Sequence, residues 1–190
     1  MVGLRPRRAV FLDRDGVVNR AVVRKGRPFP PDDLASLEVL PGAKQALADL
    51  RDAGYLNVIV TNQPDVRTGK QKRAVVDRMH AALRASLDID AIEACFHVDA
   101  DDCECRKPRP GMLLTAACRL DIDLAASFLV GDRWRDIAAG QAVGCHAFFI
   151  DYGYDERRPE PPFEIVASLA AAAERILGGG FSIRQRSVGS

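Results

Sequence analysis

The chain has 190 residues, 47% of them hydrophobic, enough for one ordinary domain to build a core without help from disulfides. Its 27 basic and 26 acidic residues nearly cancel, so no overall field draws it to nucleic acid or to an anionic membrane surface, and an anionic ligand has to be held locally. The apolar run behind the basic N-terminus ends at Asp13, far short of a secretory core, and no stretch approaches the ~20 apolar residues that cross a bilayer. A cytoplasmic monomer with no nucleic-acid or membrane partner is expected.

Short apolar runs rich in β-branched or aromatic residues predict strands over 9–13, 56–61, 94–98, 127–131 and 145–150. Between them, apolar residues recur at three- and four-residue spacing over 42–52, 70–87, 111–120 and 133–142, and a last helix is predicted over 163–177. Such alternation implies right-handed crossovers and an α/β fold with a doubly wound parallel sheet. Residues 1–178 are expected to form this single domain, and 179–190 a disordered tail. The segment 17–33 is basic, contains proline and is too long for a simple connector; it reads as a flap over a site.

Polar clusters stand directly after strands: Asp13-Arg14-Asp15-Gly16, Thr61-Asn62-Gln63 and Gly131-Asp132-Arg133. Ligands of open parallel sheets bind beyond the carboxyl ends of the strands, so these clusters should converge. Two carboxylates two residues apart at the end of a buried strand repel each other unless a cation or a proton intervenes. Magnesium meets that need, because it takes hard oxygen ligands and bridges carboxylates to a phosphate. Asp132 is the natural further ligand. Thr61 and Asn62 can donate to phosphoryl oxygens, and Lys107 can neutralise their charge. Taken singly, each of these residues is explained as well by turn chemistry or by a solvated surface.

Three of the five cysteines, Cys95, Cys103 and Cys105, crowd with His97 into eleven residues. Without a secretion signal this favours a metal over disulfides, and four soft or borderline ligands make a closed tetrahedral zinc site. With no open position, the zinc should brace the loop that presents Arg106 and Lys107. Cys95 and His97 alternate as on one face of a strand. Cys118 and Cys145 read as core residues, His80 as an ordinary helix residue, and His146 as a strand or loop residue. Trp134 is expected to pack on the first turn of its helix or to line the site.

With FLDRDGVVN, VTNQ, RKP and VGDRWRD in this order over residues 9–150, the chain resembles the phosphatases of the haloacid dehalogenase superfamily. Within it, the Cys/His loop placed before RKP is similar to that of the heptose bisphosphate and histidinol-phosphate phosphatases. The resemblance implies a fold without a large cap domain and magnesium held by Asp13, the main-chain carbonyl of Asp15, and Asp132. It also implies Asp13 as nucleophile and Asp15 as the acid that then activates water; Asp15 should therefore carry a proton at the outset. Asp136 would orient a metal-bound water, fix Arg133 or favour its helix N-terminus. A small phosphorylated sugar is the implied substrate, losing its C7 phosphate while Arg106, with Arg133, Arg20, Arg24 or Lys25, holds a second phosphate. Histidinol phosphate is the alternative, as is a non-catalytic zinc-braced binding module, which would have lost Asp13 or Asp15.

Overall fold

The computed structural model of the chain describes residues 6–179. In chain order its strands are β1 (Arg8–Leu12), β2 (Val22–Arg24), β3 (Arg27–Phe29), β4 (Tyr55–Asn62), β5 (Ala91–Cys95), β6 (Phe128–Gly131), β7 (His146–Ile150) and β8 (Glu164–Val166). The helices are α1 (Ala43–Asp52), α2 (Arg73–Ser86), α3 (Gly111–Leu120), α4 (Trp134–Ala142) and α5 (Leu169–Leu177). Six strands form one sheet in the order β5-β4-β1-β6-β7-β8, every neighbouring pair parallel.

Burial on both faces explains why β1 reads as an unbroken apolar run. Val10 and Leu12 join one core layer with Leu47 and Leu50 of α1 and with Ala172 and Ile176 of α5. Ala9 and Phe11 join the opposite layer with Met112 and Leu113 of α3 and Ile137 of α4. Phe11 is fully buried, and truncating such a side chain to alanine costs roughly 3–5 kcal/mol. Asn57, a polar residue inside β4, is tolerated because its side-chain amide donates to the carbonyls of Leu47 and Asp88, each at 2.8 Å.

Three predicted elements are corrected. The third predicted strand lies three residues earlier, at Ala91–Cys95, in register with β4 from Val58↔Ala91 to Asn62↔Cys95. The chain leaves the sheet after Cys95, so His97 does not share a strand face with it. The last predicted helix is a short edge strand followed by α5. Ser168 caps that helix, its side chain accepting from the amide of Ala171. Helix α2 starts at Arg73, since Gly69 at φ 75° and the bond from Gln71 N to Asp65 O hold the preceding residues in a turn. Cys145 is buried, but Cys118 lies exposed on α3, contrary to its reading as a core residue.

Residues between β1 and α1 form no cap domain; they contain the antiparallel β2–β3 hairpin. Its tip is tied down where Asp155 N donates to Gly26 O at 2.8 Å. Among the described residues no helix is long and apolar enough to cross a membrane. The predicted tail lies outside the described residues apart from Gly179.

Candidate active site

The chain runs from β1 outward to β4 and β5, and then returns to the other side of β1 at β6. A crevice therefore opens at the carboxyl ends of β1 and β6. Asp13 follows β1 and Asp132 follows β6; with Asp136 of α4 they form a buried trio whose carboxylate oxygens lie within 4.8 Å of one another. Close approach is possible because glycines stand opposite. A Cβ on Gly16, whose φ is +95°, would meet Asp132 Oδ2 at 1.9 Å, and one on Gly131 would meet the Asp136 Cβ at 2.2 Å.

One cation stands in this cluster. Lys107 Nζ donates to Asp13 Oδ1 at 2.7 Å and to the Val60 carbonyl at 2.6 Å, and it lies 2.5 Å from Asp136 Oδ1. Burial opposes its charge, but Asp13 and Asp136 outweigh that and hold its pKa above the ordinary lysine value. Three carboxylates against one ammonium leave a surplus of negative charge. Burial accordingly pushes Asp13 up to about 6, with Lys107 opposing and Asp136 and Asp15 adding. Asp132 is raised well above the ordinary carboxylate range, by burial and then by Asp13 and Asp136. Tyr154 is near enough to oppose this slightly, yet neither oxygen of Asp132 has a partner at hydrogen-bonding distance. A buried carboxylate without donors is costly, and two such oxygens beside Asp13 fit a hard divalent cation. Asp136 is otherwise engaged: its Oδ2 accepts from the amide of Arg133 at 3.0 Å, capping α4.

Asp15 is held by four donated hydrogen bonds. Arg14 donates through Nε at 3.0 Å and Nη2 at 2.9 Å, Asn19 Nδ2 at 2.9 Å and Gln63 Nε2 at 2.8 Å. Both carboxylate oxygens of Asp15 are thereby occupied by donors, which fixes the orientation of the group. Arg14 is fully buried, and its Nη1 lies 3.1 Å from His80 Nε2. A guanidinium only donates, so His80 accepts there as a neutral ring with its proton on Nδ1. Burial, then Arg14, pushes His80 down to about 4. His80 is therefore linked to the site through Arg14, a connection across 66 residues that helix periodicity does not show.

Thr61 is buried and accepts from Gln63 Nε2 at 2.9 Å, which leaves its hydroxyl proton to donate. The amide of Asn62 is occupied instead. Its Nδ2 donates to the carbonyl of Lys107 and its Oδ1 accepts from the amide of Lys107, both at 3.1 Å. Asn62 thus fastens the segment that carries Lys107.

Above these groups lies a cleft of about 250 Å³, lined by Asp13, Asp15, Arg106, Lys107, Arg133 and Arg135 among others, and closed on one side by Arg27 to Pro30 of the flap. The arginines expected to bind a second phosphate are distributed differently. Arg106 and Arg133 line the cleft, with Arg133 in a forked pair to Glu156. Arg20 pairs with Glu38 beside a separate cavity, and Arg24 pairs with Asp32; neither lines the cleft, nor does Lys25. Arg27 and Arg135, not singled out in the sequence, do line it. Trp134 lies outside it, with the guanidinium carbons of Arg135 and Arg157 4.8 and 4.9 Å from its ring centre.

The ligand atoms of Cys95, His97, Cys103 and Cys105 converge within 4.8 Å of one another. Sulfur–sulfur distances run from 3.1 Å for Cys95–Cys105 to 3.7 Å for Cys95–Cys103, and His97 Nδ1 lies 3.3 Å from Cys105 Sγ. A tetrahedral ion with ~2.3 Å bonds to sulfur needs edges of about 3.8 Å, close to the longer of these. The cluster could hold such an ion, and Cys105 leads directly into Arg106 and Lys107.

The family description HAD-hydrolase-like matches residues 104–172. The fold is that of a haloacid-dehalogenase-like hydrolase. The D-glycero-beta-D-manno-heptose-1,7-bisphosphate 7-phosphatase of Bordetella bronchiseptica is 37% identical over 88% of this chain and 97% of its own length. The protein of the same name from Pseudomonas aeruginosa is 33% identical over 90% and 98%. A crystal structure of the D,D-heptose 1,7-bisphosphate phosphatase of B. bronchiseptica with magnesium and phosphate superposes with a TM-score of 0.75 at 33% identity, covering 90% of this chain and 98% of that one. The chain belongs to the phosphatase family of these relatives.

Proposed function

We propose that this protein is a magnesium-dependent phosphoric monoester hydrolase that removes the C7 phosphate of D-glycero-D-manno-heptose 1,7-bisphosphate, through a phosphoryl intermediate on Asp13. The observation that carries the chemistry is the buried trio of Asp13, Asp132 and Asp136 around Lys107, at the floor of an arginine-lined cleft. The substrate is supported by the names of the relatives.

Asp13, Asp132 and the main-chain carbonyl of Asp15 would hold magnesium, which when bound offsets the charge of the transferring phosphoryl group. An Asp13 carboxylate oxygen attacks phosphorus as the bond from phosphorus to the sugar oxygen breaks. Asp15 gives that oxygen its proton. In the second half, water attacks phosphorus, the bond to Asp13 breaks, and Asp15 takes the proton from water. The donors from Arg14, Asn19 and Gln63 hold Asp15 in place for both roles. Thr61 and Lys107 donate to the phosphoryl oxygens. Arg106 receives the anion at the other end of the substrate, with Arg133 and Asn62 shaping the cleft beside it. Asp136 holds Lys107 and the N-terminus of α4.

Zinc on Cys95, His97, Cys103 and Cys105 would be structural, since four protein ligands leave no position for water. The setting is cytoplasmic, with a free sugar phosphate as the partner.

The test is magnesium-dependent phosphate release from heptose 1,7-bisphosphate and histidinol phosphate, compared by kcat/KM. A preference of ~100-fold or more for the bisphosphate, about 2.7 kcal/mol, is expected. The reverse preference would move the enzyme to histidinol phosphate, and absence of turnover on both would overturn the assignment.

A further inference from the structure

Asp99 begins the short 3₁₀ turn Asp99–Asp101, between His97 and Cys103, with a side chain 63% exposed. A carboxylate there would ordinarily face water. Its Oδ1 instead accepts from Arg106 Nε at 2.6 Å and from Arg135 Nη1 at 3.1 Å, and its Oδ2 accepts from Arg135 Nη2 at 3.1 Å. Three separate pieces of chain meet on this one group: the Cys/His loop, the segment leading into α3, and the first turn of α4.

The two arginines are used differently. Both terminal nitrogens of Arg135 are engaged by Asp99, and Nη1 also reaches the Lys107 carbonyl at 3.5 Å. Arg106 gives Asp99 only its Nε. Its Nη1 is buried and has no hydrogen-bond partner, although the residue lines the cleft. A buried donor left unpaired costs free energy, and because Arg106 lines the cleft, a ligand there can bring the acceptor. Charge agrees with this. Asp99 alone would neutralise Arg106, whereas two guanidinium groups on one carboxylate keep a net charge of +1 facing an incoming anion.

We propose that Asp99 is a positioning residue, gripping Arg106 through Nε so that its free Nη edge faces the distal anionic group of the substrate, while Arg135 braces Asp99 and does not itself touch substrate. The inference rests on the phosphatase reading and deepens it by naming what aims the arginine.

The experiment compares kcat and KM of the wild-type holoenzyme and its variants on heptose 1,7-bisphosphate and on p-nitrophenyl phosphate, which has no distal anion. Asp99→Ala should lower the ratio of kcat/KM for the bisphosphate to that for p-nitrophenyl phosphate by about tenfold, chiefly through KM. Asp99→Asn, which keeps shape but not charge, should fall between. Arg135→Ala should act in the same direction and add nothing to Asp99→Ala. In an Arg106→Ala background, Asp99→Ala should leave the ratio within twofold. Zinc content and melting temperature identify a variant whose loop has collapsed; if Asp99→Ala is such a variant, Asp99→Asn and Arg135→Ala carry the test. A ratio unchanged or raised in the folded variants, or an equal loss without Arg106, would overturn the inference. If the wild type does not hydrolyse the bisphosphate, the substrate assignment fails by itself. The inference is then decided by the bisphosphate's Ki against p-nitrophenyl phosphate, which Asp99→Ala should raise to a similar degree.

Discussion

Lys107 donates to Asp13 Oδ1 at 2.7 Å, and both groups are buried. This contact joins the segment after the Cys/His loop to the end of the central strand across 94 residues. It also places the ammonium where a phosphoryl group on Asp13 would carry its charge. Replacing Lys107 by methionine keeps much of the volume and removes the cation. Without it, Asp13, Asp132 and Asp136 face one another with no internal counter-charge. Breaking a buried pair from one side costs about 3–5 kcal/mol, so Lys107→Met should melt well below the wild type, and magnesium should recover part of the difference. Its kcat should fall by ~100-fold or more, as measured by phosphate release at saturating magnesium.

Gly16 offers a second point of attack, this time on backbone. At φ +95° it adopts a conformation that L side chains rarely take, and a methyl group there would lie 1.9 Å from Asp132 Oδ2. Gly16→Ala should displace Asp132 from Asp13. The expected result is a magnesium activation curve shifted at least about tenfold to higher concentration, with a strain cost on the order of 1–3 kcal/mol. Equal magnesium dependence in the variant and wild type would show that Asp132 does not hold the ion.

His80 makes folding depend on acid pH in a direction that can be stated. Its pKa in the folded protein lies at about 4, below the ordinary 6.5. The unfolded chain therefore binds the extra proton first, and the His80 contribution is fully present above pH 6.5 and is lost as pH falls through 4. The separation sets a ceiling near ~3 kcal/mol, reduced to about 2 by partial exposure. His80→Gln can still accept from Arg14 and does not titrate. Between pH 7 and pH 4 the wild type should lose ~2 kcal/mol relative to this variant in denaturant unfolding. Comparing the two proteins cancels the contribution of Asp13, whose raised pKa works in the opposite sense, favouring the metal-free fold at low pH. Parallel profiles would mean that folding leaves the proton affinity of His80 unchanged.

The Cys/His loop leads straight into Arg106 and Lys107, so loss of the zinc proposed there should act on catalysis through structure. Cys103→Ser should lose zinc by atomic absorption and lower the melting temperature first, with activity following as the Lys107 segment loosens. A variant that retained full stability and metal while losing turnover would contradict a structural role.

Much of this architecture is legible in the chain because the central strands are buried on both faces. The run from Ala9 to Leu12 needs no partner information to be read as a strand, and Asp13 marks its end. The Cys/His cluster is legible for a different reason, since its four ligands lie close in sequence. Short edge elements are less visible. Strand β8 is three residues long and merges with the periodicity of α5; Ser168 as a capping residue was the available signal. The flap shows the same limit. Its positive charge is evident, but Arg20 and Arg24 turn to Glu38 and Asp32, while Arg27 faces the cleft. Those two pairs are local, set by how the flap folds back on itself, whereas the pairings of Arg14 with His80 and of Asp99 with Arg135 are set by tertiary contacts 66 and 36 residues apart.

The stereochemical course at phosphorus tests the central claim most directly. With a thiophosphate analogue of the substrate whose transferred group is chiral by sulfur and two heavy oxygen isotopes, transfer to Asp13 and then to ordinary water comprises two in-line displacements, each inverting the centre. Net retention in the released thiophosphate is the predicted result. Net inversion would mean that water attacks the substrate directly, and would contradict Asp13 as nucleophile.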